Sequence, residues 1–266
     1  MRLLLGDGGG QLGTYLWGVI TEFLRLGMPT DYFDVHLSTS ASAFNSAFLL
    51  SGQLEEGTRV WTQHLPSGFW KWNRNDMRYL EKVLREVECL NCGVFPEKKT
   101  QVHIAYSNPR TLRSEIKLLN TATDPIRMLL AAADMPFFTG RFPVDGQNYH
   151  DGGLISQPPL DHAQKFGPTE TWVLMTSPRG HRLSSLAWNL ISKFAIHDGQ
   201  IRKLLVNCPE RRNEILVEIE SRSDLKVIRP LAPLPIGWRS CNKAAILQTF
   251  NLGIQSAQQF ARENHW

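Results

Sequence analysis

The chain opens with Leu3-Leu4-Leu5-Gly6-Asp7-Gly8-Gly9-Gly10-Gln11-Leu12-Gly13, and the reading of everything after it turns on this stretch. A short apolar run reads as a buried strand, and consecutive glycines end it. Leu16, Val19, Ile20, Phe23, Leu24 and Leu26 follow at helical spacing until Gly27 and Pro29 stop them. Phe33-Asp34-Val35-His36-Leu37 is a second strand-like run. It meets Ser38-Thr39-Ser40-Ala41-Ser42, and a further helical pattern runs from Ala43 to Leu50. Strand, loop, helix, strand, turn, helix is the opening of an α/β fold with a parallel sheet.

Outward from there the pattern continues less regularly. Helices are predicted over 58–65, ended by Pro66-Ser67-Gly68, and over 76–87, 126–133 and 243–262. Strands are predicted over 102–106, 171–175, 215–219 and 225–228. There is no repeat, low-complexity segment or linker, so a single domain over 1–266 is expected.

Bulk composition narrows the class. A chain of 266 residues can bury one sizeable core, and 42% hydrophobic with 20% charged residues suits a soluble globule. The balance of 29 basic against 25 acidic residues, +4, gives no nucleic-acid footprint. No apolar run approaches the roughly 18–20 residues that span a bilayer. The N-terminal Leu3–Leu5 run is too short for a signal-peptide core. Cys89 and Cys92 have C-x-x-C spacing, but no second pair follows them at zinc-finger distance. With Cys208 and Cys241 they read as free thiols in a reducing compartment. A cytoplasmic protein without metal or cofactor is the expectation.

Three stretches carry chemistry. A serine at a sharp strand-to-helix turn projects its hydroxyl outward, and its neighbours two residues away on either side must be small. Ser40 sits between Ser38 and Ser42 in such a turn, although the pentapeptide alone fits a helix N-cap equally well. Gly8, Gly9 and Gly10 lie between a strand and a helix, where backbone N–H groups can converge on an anion. That anion is a tetrahedral oxyanion or a phosphate. On the phosphate reading Gly8, Gly10 and Gly13 mimic a dinucleotide fingerprint, with Asp31 or Asp34 as the ribose-binding acid. Asp151-Gly152-Gly153 is by itself a turn, but it follows Ser40 in the order expected of a partner acid or base.

Taken in order, these stretches resemble the patatin-like phospholipases, bacterial members especially. The resemblance rests on Asp7-Gly8-Gly9-Gly10-Gln11-Leu12-Gly13, Ser38 to Ser42, Ala131-Ala132-Ala133-Asp134-Met135-Pro136-Phe137, and Asp151-Gly152-Gly153 followed by Pro159-Leu160-Asp161-His162-Ala163. It implies a three-layer α/β/α fold around a mostly parallel sheet. It also implies a Ser40–Asp151 dyad, an oxyanion hole from Gly8, Gly9 and Gly10, and hydrolysis of phospholipid or lysophospholipid acyl esters through an acyl-enzyme. No cofactor is implied. The sequence departs from the family at Leu12, where the family usually carries Lys or Arg, and at Ser38 and Ser42, where glycines are usual.

Two other readings stay open. A Ser–His–Asp esterase would draw its histidine from His150, His162, His181 or His197. A catalytically weakened member would bind lipid or a partner through the same cleft. Phe69, Trp70 and Trp72, beside Lys71 and Arg74, suit peripheral contact with a membrane or a cap over the cleft.

Overall fold

A computed structural model describes residues 1–70, 76–136, 142–186, 188–189, 192, 198–264 and 266. The first strand, β1 (Arg2–Gly6), leads into α1 (Gly13–Arg25); β2 (Val35–Thr39) leads into α2 (Ala41–Ser51). Then come α3 (Leu54–Arg59), α4 (Met77–Lys82), β3 (Gln101–Asn108), β4 (Arg113–Leu118) and α5 (Pro125–Ala132). Short strands β5 (Pro143–Val144), β6 (Gln147–Asn148) and β7 (His150–Asp151) precede β8 (Glu170–Leu174). The chain ends with α6 (Gly199–Ser221), β9 (Leu225–Ile228) and α7 (Lys243–Glu263).

The main sheet has seven strands in the order β4-β3-β2-β1-β8-β9, with β7 also paired to β3. β1, β2, β3, β8 and β9 run parallel, while β4 and β7 are antiparallel to β3. Alternation along the strands divides the core in two. Leu3, Leu5, Val35, Leu37 and Val173 pack with Leu216 and Ile219 of α6 on one face. Leu4, Ile104, Trp172 and Leu174 join the larger cluster with α1, α2 and α5 on the other. This is the expected three-layer α/β/α arrangement. Among the described residues no helix is long and apolar enough to cross a membrane.

Two local expectations are corrected. Residues 215–219 form part of α6, not a strand. Ile215 and Ile219 favour a strand locally, but Leu205, Cys208, Arg212, Leu216 and Ile219 recur at helical spacing and are buried together. Pro66 does not end the helix that contains it. Beyond α3 the chain continues in wider π-type turns over Val60–Phe69, which accommodate a residue with no N–H to donate.

On the larger-core side, α1 and α7 pack backbone against backbone. A Cβ built at Gly18 would lie 2.2 Å from the Phe250 carbonyl oxygen, and one at Gly253 would lie 2.1 Å from that of Tyr15. Gly253→Ala therefore forces the helices apart. It is expected to lower stability by about 1–3 kcal/mol, the usual range for overpacking, as read from urea denaturation midpoints.

Candidate active site

Ser40 lies between the last residue of β2 and the first of α2, with φ 54° and ψ −121°. A side-chain-bearing residue at positive φ is strained, and such strain is kept where the surrounding structure over-determines it. Here Ser42 fastens the turn. The Thr39 N–H donates to Ser42 Oγ (2.8 Å), and that hydroxyl donates back to the Thr39 carbonyl (2.9 Å). Ser38 Oγ bonds Ser46 Oγ at 2.8 Å, and Ser46 in turn meets His36 Nδ1 at 3.1 Å. Burial lowers the His36 pKa to about 4, so that ring is neutral. Room for Ser42 comes from Gly6, where a Cβ would lie 2.4 Å from Ser42 Cβ. Both serines standing where glycines are usual thus fit the turn.

Sheet register brings Asp151 to the same place. Thr39 of β2 pairs with Ala105 of β3, and the next β3 residue, Tyr106, pairs with Asp151 of β7. Ser40 is 6% exposed and Asp151 5%. The Gly153 N–H donates to Asp151 Oδ1 at 2.8 Å. Burial raises the Asp151 pKa to about 6, partly opposed by hydrogen bonding from the Ser40 side chain and the Gly153 amide. The Asp134 charge pushes the same way as burial, and His150 pushes against it.

Asp7 sets the glycine loop. It is wholly buried and accepts from the Gly8 N–H (2.9 Å), the Thr176 N–H (2.9 Å) and the Thr176 hydroxyl (2.7 Å). Arg212 Nη1 lies 2.8 Å from Asp7 Oδ1, and Nη2 donates to Oδ2 at 2.8 Å. Burial acts to raise the Asp7 pKa, but Arg212 and Thr176 more than offset it and hold the carboxyl below its ordinary value. Gly9 and Gly10 have φ of 123° and 57°, conformations that glycine adopts without a steric penalty. The Gly8 amide is the one that donates to Asp7. Among the described residues no acceptor takes the Gly9 or Gly10 N–H. The Gln11 N–H donates to the Trp238 carbonyl at 2.9 Å, and the Gln11 side chain accepts from Trp70 Nε1 at 2.8 Å.

Ser40, Asp151, Gly9 and Gly10 all border one cavity of about 530 Å³. Its walls are mainly apolar, including Leu12, Phe44, Trp61, Leu65, Phe69 and Trp238.

The model of the family described as patatin-like phospholipase matches residues 4–163, which include the glycine loop, Ser40 and Asp151. The chain belongs to the patatin-like phospholipase family. It is a hydrolase of the phospholipase and esterase class. The fold is similar to the crystal structure of VipD from Legionella pneumophila, with a TM-score of 0.56 and 10% identity over 98% of this chain and 67% of that one. No curated protein matches the chain.

Other predicted residues fall in different places within this patatin-like fold. Phe69 is buried and Trp70 half-buried, and both line the cavity, as a cap over the cleft would. Trp72 lies outside the described residues, as does His197. His150 Nδ1 faces Asp134 at 3.1 Å, and His162 faces Ser114 (2.8 Å) and Lys165 (2.9 Å). His181 is exposed at the cavity. Arg212, Thr176 and Trp238 were missed from the sequence. An arginine falling on the apolar stripe of α6 was the available signal for the first.

The pairing of Gly6 with Ser42 makes a direct prediction. Gly6→Ala alone should cost about 1–3 kcal/mol, as overpacking usually does, and most of that loss should vanish in Gly6→Ala/Ser42→Gly. A double-mutant cycle from denaturant unfolding reads the coupling.

Proposed function

We propose that the chain hydrolyses the fatty-acyl ester bond of phospholipids or lysophospholipids, with Ser40 as nucleophile and Asp151 as its base. The observation that carries this reading is that Ser40, Asp151 and two glycines whose amides have no acceptor among the described residues border one apolar cavity. A fatty-acyl chain suits the apolar wall, which leaves the ester carbonyl beside Ser40. The Ser40 hydroxyl attacks that carbonyl while its proton passes to an Asp151 carboxylate oxygen. Negative charge developing on the carbonyl oxygen is met by the Gly9 and Gly10 N–H groups and by the N-terminal end of α2. The leaving alcohol takes the proton from Asp151. Water then enters by the same route in reverse and releases the fatty acid, restoring Ser40.

Burial gives Asp151 a useful basicity. A carboxylate with a pKa of about 6 is a better proton acceptor than an exposed aspartate and is still ionised at neutral pH. Leu231 and Trp238 are exposed on the segment that walls the cavity, and they offer apolar contact to an aggregated lipid substrate.

Turnover of a short-chain nitrophenyl ester tests the assignment. Ser40→Ala and Asp151→Asn should each lower kcat by about 10⁴-fold or to the assay floor, the scale seen when a nucleophile–base unit is broken. His150→Ala, His162→Ala and His181→Ala should retain Ser40-dependent turnover. Loss of turnover in one histidine variant that still folds would favour a Ser–His–Asp mechanism instead.

The pH profile follows from the same group. Asp151 must be deprotonated to act, so kcat/KM should rise about tenfold per pH unit below its pKa. The rise should be half complete near pH 6 and level above it. A stopped pH series on the wild type measures it.

A further inference from the structure

Arg212 belongs to α6, beyond the 4–163 stretch that matches the family. It is 6% exposed and borders the cavity. Its guanidinium engages two loops at once. One is held through Asp7, at 2.8 Å from each carboxylate oxygen. The other is held through the Gln157 carbonyl oxygen, which accepts from Nη1. Asp7 opens the glycine loop, and Gln157 follows Asp151 in the next turn of chain. The Gln157 side chain also approaches the glycine loop: a Cβ on Gly8 would lie 2.9 Å from its Oε1 and 2.9 Å from Ser40 Cβ. At position 12, where the family usually carries a cation, Leu12 lies on the cavity wall.

We propose that Arg212 is a positioning residue for acyl transfer: its one guanidinium ties the oxyanion loop, through Asp7, to the loop that follows Asp151. The proposal rests on the Ser40–Asp151 reading above. Its physical basis is the state of Asp7. A fully buried carboxylate stays ionised only with a cation and donors around it. Ionised, Asp7 is a strong acceptor for the Gly8 N–H and fixes the first peptide of a loop whose glycines would otherwise sample many orientations. The Gly9 and Gly10 amides then face the cavity without reorganising as charge develops on the substrate. A planar fork that meets a carboxylate with two nitrogens and a carbonyl besides is a task for arginine; lysine keeps the charge but loses the second tie.

The test compares wild type, Ser40→Ala, Arg212→Lys and the charge-free pair Asp7→Asn/Arg212→Met, using nitrophenyl butyrate turnover together with thermal unfolding. The double variant removes both buried charges, so neither is left unpaired and the fold should hold. Its kcat should fall about 10- to 100-fold, part of the 10²–10³ that an oxyanion donor provides, with KM within about threefold of wild type. Arg212→Lys should lose about 3- to 10-fold in kcat, again with little change in KM, consistent with a fork that tolerates no point charge in its place. A folded double variant with wild-type kcat, or a fall confined to KM, overturns the proposal while leaving Ser40 and Asp151 in place. Should the double variant not fold, Arg212→Lys decides alone, and wild-type kcat there overturns the proposal. Equal hydrolysis by wild type and Ser40→Ala overturns the Ser40 reading, and this proposal with it.

Discussion

Gly6 of β1 pairs with Ser38 of β2, Thr39 with Ala105 of β3, and Tyr106 with Asp151 of β7. This ladder register governs the rest of the site. Parallel strands that end level with one another release their connecting loops at one edge of the sheet, the usual place for a site in an open α/β fold. A one-residue slip would turn Leu3 and Leu5 out of their core layer and move Ser40 away from Asp151. The two-sided core therefore enforces the site geometry as well as stability.

Within that frame, local substitutions are matched by their neighbours. Ser42 brings a side chain to a crowded turn, and Gly6 removes one across from it. Ser42 also gives the turn two hydrogen bonds that a glycine could not. The positive φ of Ser40 is thus held by side-chain bonding and by packing against β1. A comparable exchange operates at the glycine loop. Leu12 adds apolar surface to the cavity, and Arg212 from α6 neutralises the buried Asp7 that opens the loop.

Much of this was legible in the sequence, for physical reasons. Short apolar runs followed by glycines or small residues mark buried strands that end in functional turns, so β1, β2 and both loops stood out. The helical pattern from Ala43 to Leu50, stopped near Gly52, marked α2. What was hidden depends on contacts between distant segments. Arg212 and Asp7 are 205 residues apart, and only the folded chain brings them together. Reading 215–219 as a strand also broke up the helical stripe on which Arg212 lies. The aromatic cluster at 69–72 was ambiguous because a tryptophan suits a lipid interface and a cavity wall alike. The inward placement of Phe69 and Trp70 follows from the π-type turns through Pro66, which no local propensity announces.

The central claim is that Ser40 is a nucleophile made reactive by its surroundings. It is tested most directly by labelling the folded wild-type protein with a fluorophosphonate and locating the adduct by peptide mass spectrometry. The account predicts one stoichiometric adduct on Ser40, formed by folded protein and lost on denaturation before labelling. An unlabelled folded protein, or an adduct on another residue with Ser40 untouched, would contradict it.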